Sequence, residues 1–106
     1  MLSTFRALAE PNRLHIVELL LRGPRPVGDL VLRLRLRQPQ VSKHLRVLSK
    51  AGLVGVRRDA QRRIYALRPA PIAEVDAWLA PYRRLWNDRL DALGTYLDTH
   101  PEGTSR

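Results

Sequence analysis

Apolar positions recur at helical spacing over most of the chain. Phe5 and Leu8 share one side of a short segment, Ser3 to Ala9, with Ser3 placed to cap it. Leu14, Val17, Leu20 and Leu21 then step by threes and fours, Ile16 widens the stripe, and Pro11 suits the first turn. Gly23-Pro24 ends that helix, because glycine fits a C-terminal cap and proline cannot continue the turn. A third helix is predicted over residues 27–34, with Leu30 and Leu34 inward. Pro39 opens a fourth, about Gln38 to Ala51, which Gly52 ends. Its Val41, Leu45 and Leu48 fall in one narrow sector. Ser42, Lys43, Arg46 and Lys50 point the other way, with Gln40 and His44 on the margins.

The period then changes to two. Leu53, Val54 and Val56 predict one strand and Ile64-Tyr65-Ala66-Leu67 its partner, with Arg57 to Arg63 as a polar hairpin tip. Beyond Pro69 and Pro71, Ile72, Val75, Leu79, Tyr82, Trp86, Leu90, Leu93 and Leu97 outline a long amphipathic helix. Pro81 should kink it or split it in two. Three short helices, a fourth with a polar face and a two-stranded ribbon describe a mainly α fold with a small β-hairpin, a winged helix-turn-helix. At 106 residues the chain suits one domain over 1–100, its core in 11–68, followed by a flexible tail over 101–106.

Charge changes the picture more than composition does. The net charge is +9, and it is unevenly placed. Between Arg22 and Arg68 thirteen basic residues face only Asp29 and Asp59, a net +11, whereas Pro69 to Arg106 carries −2. A merely soluble surface mixes signs, so the middle of the chain calls for a polyanion. The amphipathic terminal helix carries the acidic residues, which argues against a membrane surface. No apolar stretch reaches the roughly 20 residues of a spanning helix, and Met1 to Arg6 lacks a signal-peptide profile. A cytoplasmic protein is expected.

The fourth helix and the ribbon together suit duplex DNA. A helix fits the major groove, and side chains near its N-terminus reach base edges. Gln40 is expected to pair with adenine through two hydrogen bonds, while Ser42, Lys43 and His44 meet bases or phosphates. Arg46 shares that face, and Arg57, Arg58, Arg62 and Arg63 can reach the DNA backbone from the ribbon. A basic module binding RNA or a protein partner is the alternative. Base-edge chemistry on one helix face speaks against it, since a purely electrostatic binder has no need of it.

The segments Ala7 to Ile16, Gln38-Pro39-Gln40-Val41-Ser42-Lys43-His44-Leu45-Arg46-Val47-Leu48 and Ala51-Gly52-Leu53-Val54, with the Arg-rich hairpin ending Tyr65-Ala66-Leu67, carry a resemblance. In that order they resemble the ArsR/SmtB family of bacterial transcriptional regulators. The resemblance implies a homodimer, built from the first and last helices, that binds an imperfect inverted repeat and usually represses transcription. Residues 1–10 and 70–98 are then the dimerisation segments, with Phe5, Leu8, Trp78, Tyr82, Trp86, Leu90, Leu93 and Leu97 as interface candidates.

Two positions depart from the family pattern. Arg37 stands where serine commonly caps the recognition helix, so the cap must come from elsewhere; Arg37 and Gln38 are left to approach the DNA. Asp59-Ala60 occupies a hairpin tip that often holds glycine. Metal sensing, common in the family, finds poor support. There is no cysteine, and His15, His44 and His100 lie far apart in sequence. Asp98 and His100 are two potential ligands without a second histidine downstream. No cofactor is called for, and no effector is evident. Enzymatic motifs are missing too: no Gly-rich phosphate loop or local nucleophile-base set appears.

Overall fold

The computed structural model describes residues 1–100. The tail over 101–106 lies outside the described residues. Two compact units divide the chain, Met1–Glu74 and a second from Val75 onward.

The first unit opens with α1 (Leu2–Leu8) and α2 (Pro11–Leu21). Helix α1 begins earlier than its serine suggests: the Met1 carbonyl accepts from the amides of Thr4 and Phe5 at 3.1 and 3.2 Å, so Ser3 lies inside the helix rather than capping it. Pro11 takes the first turn of α2, and the Glu10 carboxylate caps it by accepting from the Arg13 amide at 2.9 Å. The buried face of α2 is Ile16, Leu19 and Leu20, whereas Leu14 and Leu21 face outward. This helix is apolar on nearly all sides, so periodicity alone could not single out its core face.

Helices α3 (Val27–Leu34) and α4 (Gln38–Lys50) follow, joined by a turn in which Arg35 adopts the left-handed conformation at φ 55°. Val41, Leu45 and Leu48 of α4 are essentially inaccessible and pack with Leu30, Ile16 and Leu53 in the core. Each of these large side chains contributes about 1.5–3 kcal/mol by leaving water. The burial fixes which face of α4 remains outside.

The ribbon differs from its sequence-based outline in two ways. A short strand β1 (Arg25–Pro26) pairs with β3 (Arg62–Leu67), so the sheet has three antiparallel strands in the order β1-β3-β2. Pro26 is tolerated because β1 is an edge strand. Strand β2 (Val54–Asp59) pairs with β3 out to Asp59↔Arg62. The four arginines therefore lie on the strands rather than in a loop, and only Ala60 and Gln61 make the turn. Ala60 takes φ 57°, the positive value that a two-residue hairpin turn demands.

Helix α5 (Pro69–Thr99) starts in the first unit and continues through the second. Pro81 does not split it. All side chains from Pro81 to His100 are exposed. Among the described residues, no helix is long and apolar enough to cross a membrane.

Candidate nucleic-acid interface

Burial of Val41, Leu45 and Leu48 turns Gln38, Gln40, Lys43 and Arg46 outward, with Ser42 half-buried beside them. Gln38 and Ser42 line a cleft of 460 Å³ whose far wall is Gln61, Arg62, Arg63 and Tyr65 of the ribbon. Its floor includes Val27 and Gly28 at the start of α3. One concave surface thus joins the polar face of α4 to two of the four wing arginines. Arg57, Arg58 and Arg63 line a second cleft of 220 Å³ with Val56 and Tyr65. Arg63 belongs to both.

Along the ribbon Arg58 lies directly opposite Arg63, and Asp59 opposite Arg62. The second pair is joined, Arg62 Nη2 to Asp59 Oδ2 at 3.4 Å, so part of the Arg62 charge is matched. The first pair sets two like charges across the strands.

Two predicted residues have other engagements. Gln40 turns its carboxamide oxygen back to accept from the Arg37 amide at 3.0 Å. This is the return arm of a capping box, in which the third helical residue satisfies the amide of the N-cap residue; the Arg37 guanidinium has no acceptor with which to supply the other arm. His44 is half-buried, its Nδ1 3.5 Å from Glu10 Oε2. It faces the start of α2 rather than the open face of α4. Burial alone would push the Glu10 carboxyl up, but hydrogen bonds from Arg13 and Asn12 and the nearby His44 and Arg13 hold it below its ordinary 4.5.

Sequence periodicity overlooked a charged cluster beside the cleft. Arg25 donates to Asp29 at 2.8 Å and to the Leu19 carbonyl at 3.0 Å, and Arg33 reaches Asp29 at 3.2 Å. The Arg25 hydrogen bond, followed by both guanidinium charges, holds the Asp29 carboxyl below its usual range. Gln61 and Gly28 were also missed as lining residues. Gln61 sits in a turn and Gly28 has no side chain, so a pattern of apolar and polar positions reveals neither.

The interface candidates divide. Leu8 is half-buried against the core of the first unit, and Phe5 is at its edge. In the second unit Trp78 meets Tyr82 in a tilted contact, with ring centres 4.9 Å apart and planes at 48°. Trp78, Tyr82, Trp86, Leu90, Leu93 and Leu97 are all exposed. His100 bonds the Tyr96 carbonyl and the Thr99 hydroxyl, each at 2.9 Å, through the same Nδ1. Among the described residues no three His, Asp or Glu side chains gather as metal ligands do.

Three short helices, a fourth held by its apolar face and an arginine-bearing ribbon define a winged helix-turn-helix protein. The family model for bacterial regulatory proteins of the arsR family matches residues 10–56. The HTH-type transcriptional regulator Rv2034 of Mycobacterium tuberculosis is 37% identical over 94% of this chain and 91% of its own length. A probable mercury resistance operon repressor of Streptomyces lividans is 38% identical over 67% of this chain and 57% of its own. The homodimeric winged helix-turn-helix DNA-binding domain of Mb0332 from Mycobacterium bovis superposes with a TM-score of 0.64 at 28% identity, covering 77% of this chain and 76% of that one. The chain belongs to the ArsR family of transcriptional regulators.

Proposed function

We propose that the protein is a cytoplasmic homodimeric repressor that reads an inverted-repeat operator in duplex DNA. The observation that carries this reading is the 460 Å³ cleft, where Gln38 and Ser42 of α4 meet Arg62 and Arg63 of the ribbon. A groove-sized helix with polar side chains, flanked by cations on a ribbon, matches the two tasks of base reading and backbone positioning.

In this reading Arg37, Gln38, Gln40, Ser42, Lys43 and Arg46 approach the major groove, and Arg57, Arg58, Arg62 and Arg63 approach phosphates. His44 faces Glu10 at the start of α2 and makes no base contact in this reading. Residues 1–100 act as one DNA-binding and dimerising domain. A second copy covers the stripe Tyr82, Trp86, Leu90, Leu93 and Leu97, and Phe5 adds a contact. So long an exposed apolar face exceeds what a monomer ordinarily leaves bare. The kinship with a named repressor and a homodimeric DNA-binding domain supports both points.

The test is a mobility shift on random duplex DNA, enriched over several rounds and competed with bulk RNA. Enrichment of a pseudo-palindrome with half-sites spaced by about 10 bp or a multiple of it is the expected result. Affinity should fall steeply with salt, because bound arginines release condensed cations. Competition by RNA as effective as by DNA, or affinity indifferent to salt, would overturn the proposal.

A further inference from the structure

We infer that Gln40 reads the groove with its amide NH2 alone, its carbonyl oxygen being retained as the cap of α4. The inference rests on the DNA-binding reading above and sharpens what this residue recognises. Gln40 is tied to Arg37 twice. Its backbone amide donates to the Arg37 carbonyl at 3.0 Å, and its side-chain oxygen accepts from the Arg37 amide at 3.0 Å. The backbone partner is a donor, so the facing side-chain atom must be the oxygen; the reverse orientation would oppose two donors. The backbone bond fixes where the side chain starts, and the side-chain bond turns its oxygen toward Arg37.

Neither neighbour can take over the oxygen's task. The Arg37 side chain carries donors only, and the Pro39 side chain has no acceptor. Releasing the oxygen would leave the cap of the reading helix unmade at the moment the helix enters the groove. The NH2 of the exposed side chain has two donors to offer.

Hydrogen-bond accounting then sets the preference. Pairing with adenine through two bonds requires the oxygen to accept from adenine N6 while the nitrogen donates to N7. A donor-only edge meets N7 of adenine or guanine, O6 of guanine or O4 of thymine, and is repelled by the N4 amino group of cytosine. Gln40 therefore excludes cytosine instead of selecting adenine.

The experiment is duplex selection with the full chain and its Gln40→Ala and Gln40→Glu variants, with thermal melting at one protein concentration. At the base position that responds to Gln40→Ala, adenine and guanine should lie within about three-fold of each other and cytosine about ten-fold lower. Gln40→Glu keeps a capping oxygen and offers a free acceptor, so the preference should turn toward cytosine. Its melting temperature should stay within about 2 °C of the parent, while Gln40→Ala should lower it by about 4 °C. A ten-fold preference for adenine over guanine would overturn the inference. So would Gln40→Glu melting as low as Gln40→Ala, or a Gln40→Ala variant with every base preference intact. Failure of the parent chain to enrich any duplex would instead overturn the DNA-binding reading, and this inference with it.

Discussion

Glu10 joins the helix that orients the core to the helix that carries the polar face. Its carboxylate accepts from the Arg13 amide at 2.9 Å and from the Asn12 side chain at 3.3 Å, and lies 3.5 Å from His44 Nδ1. Replacing Glu10 by alanine removes the α2 cap, at about 1 kcal/mol within a range of 0.5–2. It also removes a negative charge from a helix N-terminus, at about 0.3–1 kcal/mol. The His44 contact adds little, since it is long and His44 carries charge only when protonated. Glu10→Ala should therefore cost about 1–2 kcal/mol. Glu10→Gln keeps an acceptor for the Arg13 amide and should cost about half as much. With a urea slope of about 2 kcal/mol per molar, the alanine midpoint should fall by roughly 0.5–1 M at fixed protein concentration. The pH dependence has a definite sign. Because the folded carboxyl is held below its ordinary 4.5, its stabilisation is present above that value and drains away as pH falls below it. The gap between parent and Glu10→Gln should hold at neutral pH and close in acid. Equal melting of the alanine and glutamine variants at pH 7, or a gap that widens in acid, would refute the capping argument.

Three further outcomes follow from particular positions. Ala60→Gly should raise the urea midpoint: the positive φ of 57° costs an L-residue about 1–2 kcal/mol, against about 0.4–1 kcal/mol of added freedom in the unfolded chain. A lowered midpoint would show that Ala60 is not held there. Leu90→Asp should convert the dimer to monomer in sedimentation, since it sets a charge in the exposed stripe of α5; an unchanged dimer would place the interface elsewhere. Arg63→Ala should weaken DNA binding and flatten its salt slope by about one unit, with a larger effect than Arg62→Ala, whose charge Asp59 already matches. The reverse order would refute the distinction between the two arginines.

Helices with a clear polar side were legible before any coordinates. The α4 face of Val41, Leu45 and Leu48 follows from spacing alone and is the buried face observed. Helix α2 was less so, because apolar residues surround it and only packing decides that Ile16 and Leu19 go inward while Leu14 and Leu21 stay out. Strand β1 has two residues and one is proline, so it exists only through its pairing with Tyr65 and Ile64. The ribbon was read too short for a related reason: four arginines look like a loop, yet backbone pairing continues to Asp59↔Arg62 regardless of side-chain polarity. The exposed polar face of α4 was legible from spacing, but the hydrogen-bond commitments of its residues were not. Spacing puts Gln40 and His44 on the margins of the polar face. Only geometry reveals that one caps its own helix and the other meets Glu10 across the fold.

The candidate surface holds three arginines against local preference. Arg35 occupies a left-handed turn immediately before α4, where glycine would carry no steric cost. Arg58 and Arg63 oppose each other across the ribbon, a like-charged arrangement that costs about 0.2–1 kcal/mol in a sheet. Both features flank the polar face of α4, one at its entry and one across the cleft. Arg35 ends α3 as its left-handed C-cap, so its cost belongs to the turn between the helices. The opposed pair has no such structural task, and its cost is of the kind a polyanion offsets, because a phosphate placed between two guanidinium groups turns repulsion into two attractions. The repulsion thus argues for the same partner as the net charge, and under the proposed DNA-binding reading it favours the face of the ribbon that bears Arg58 and Arg63.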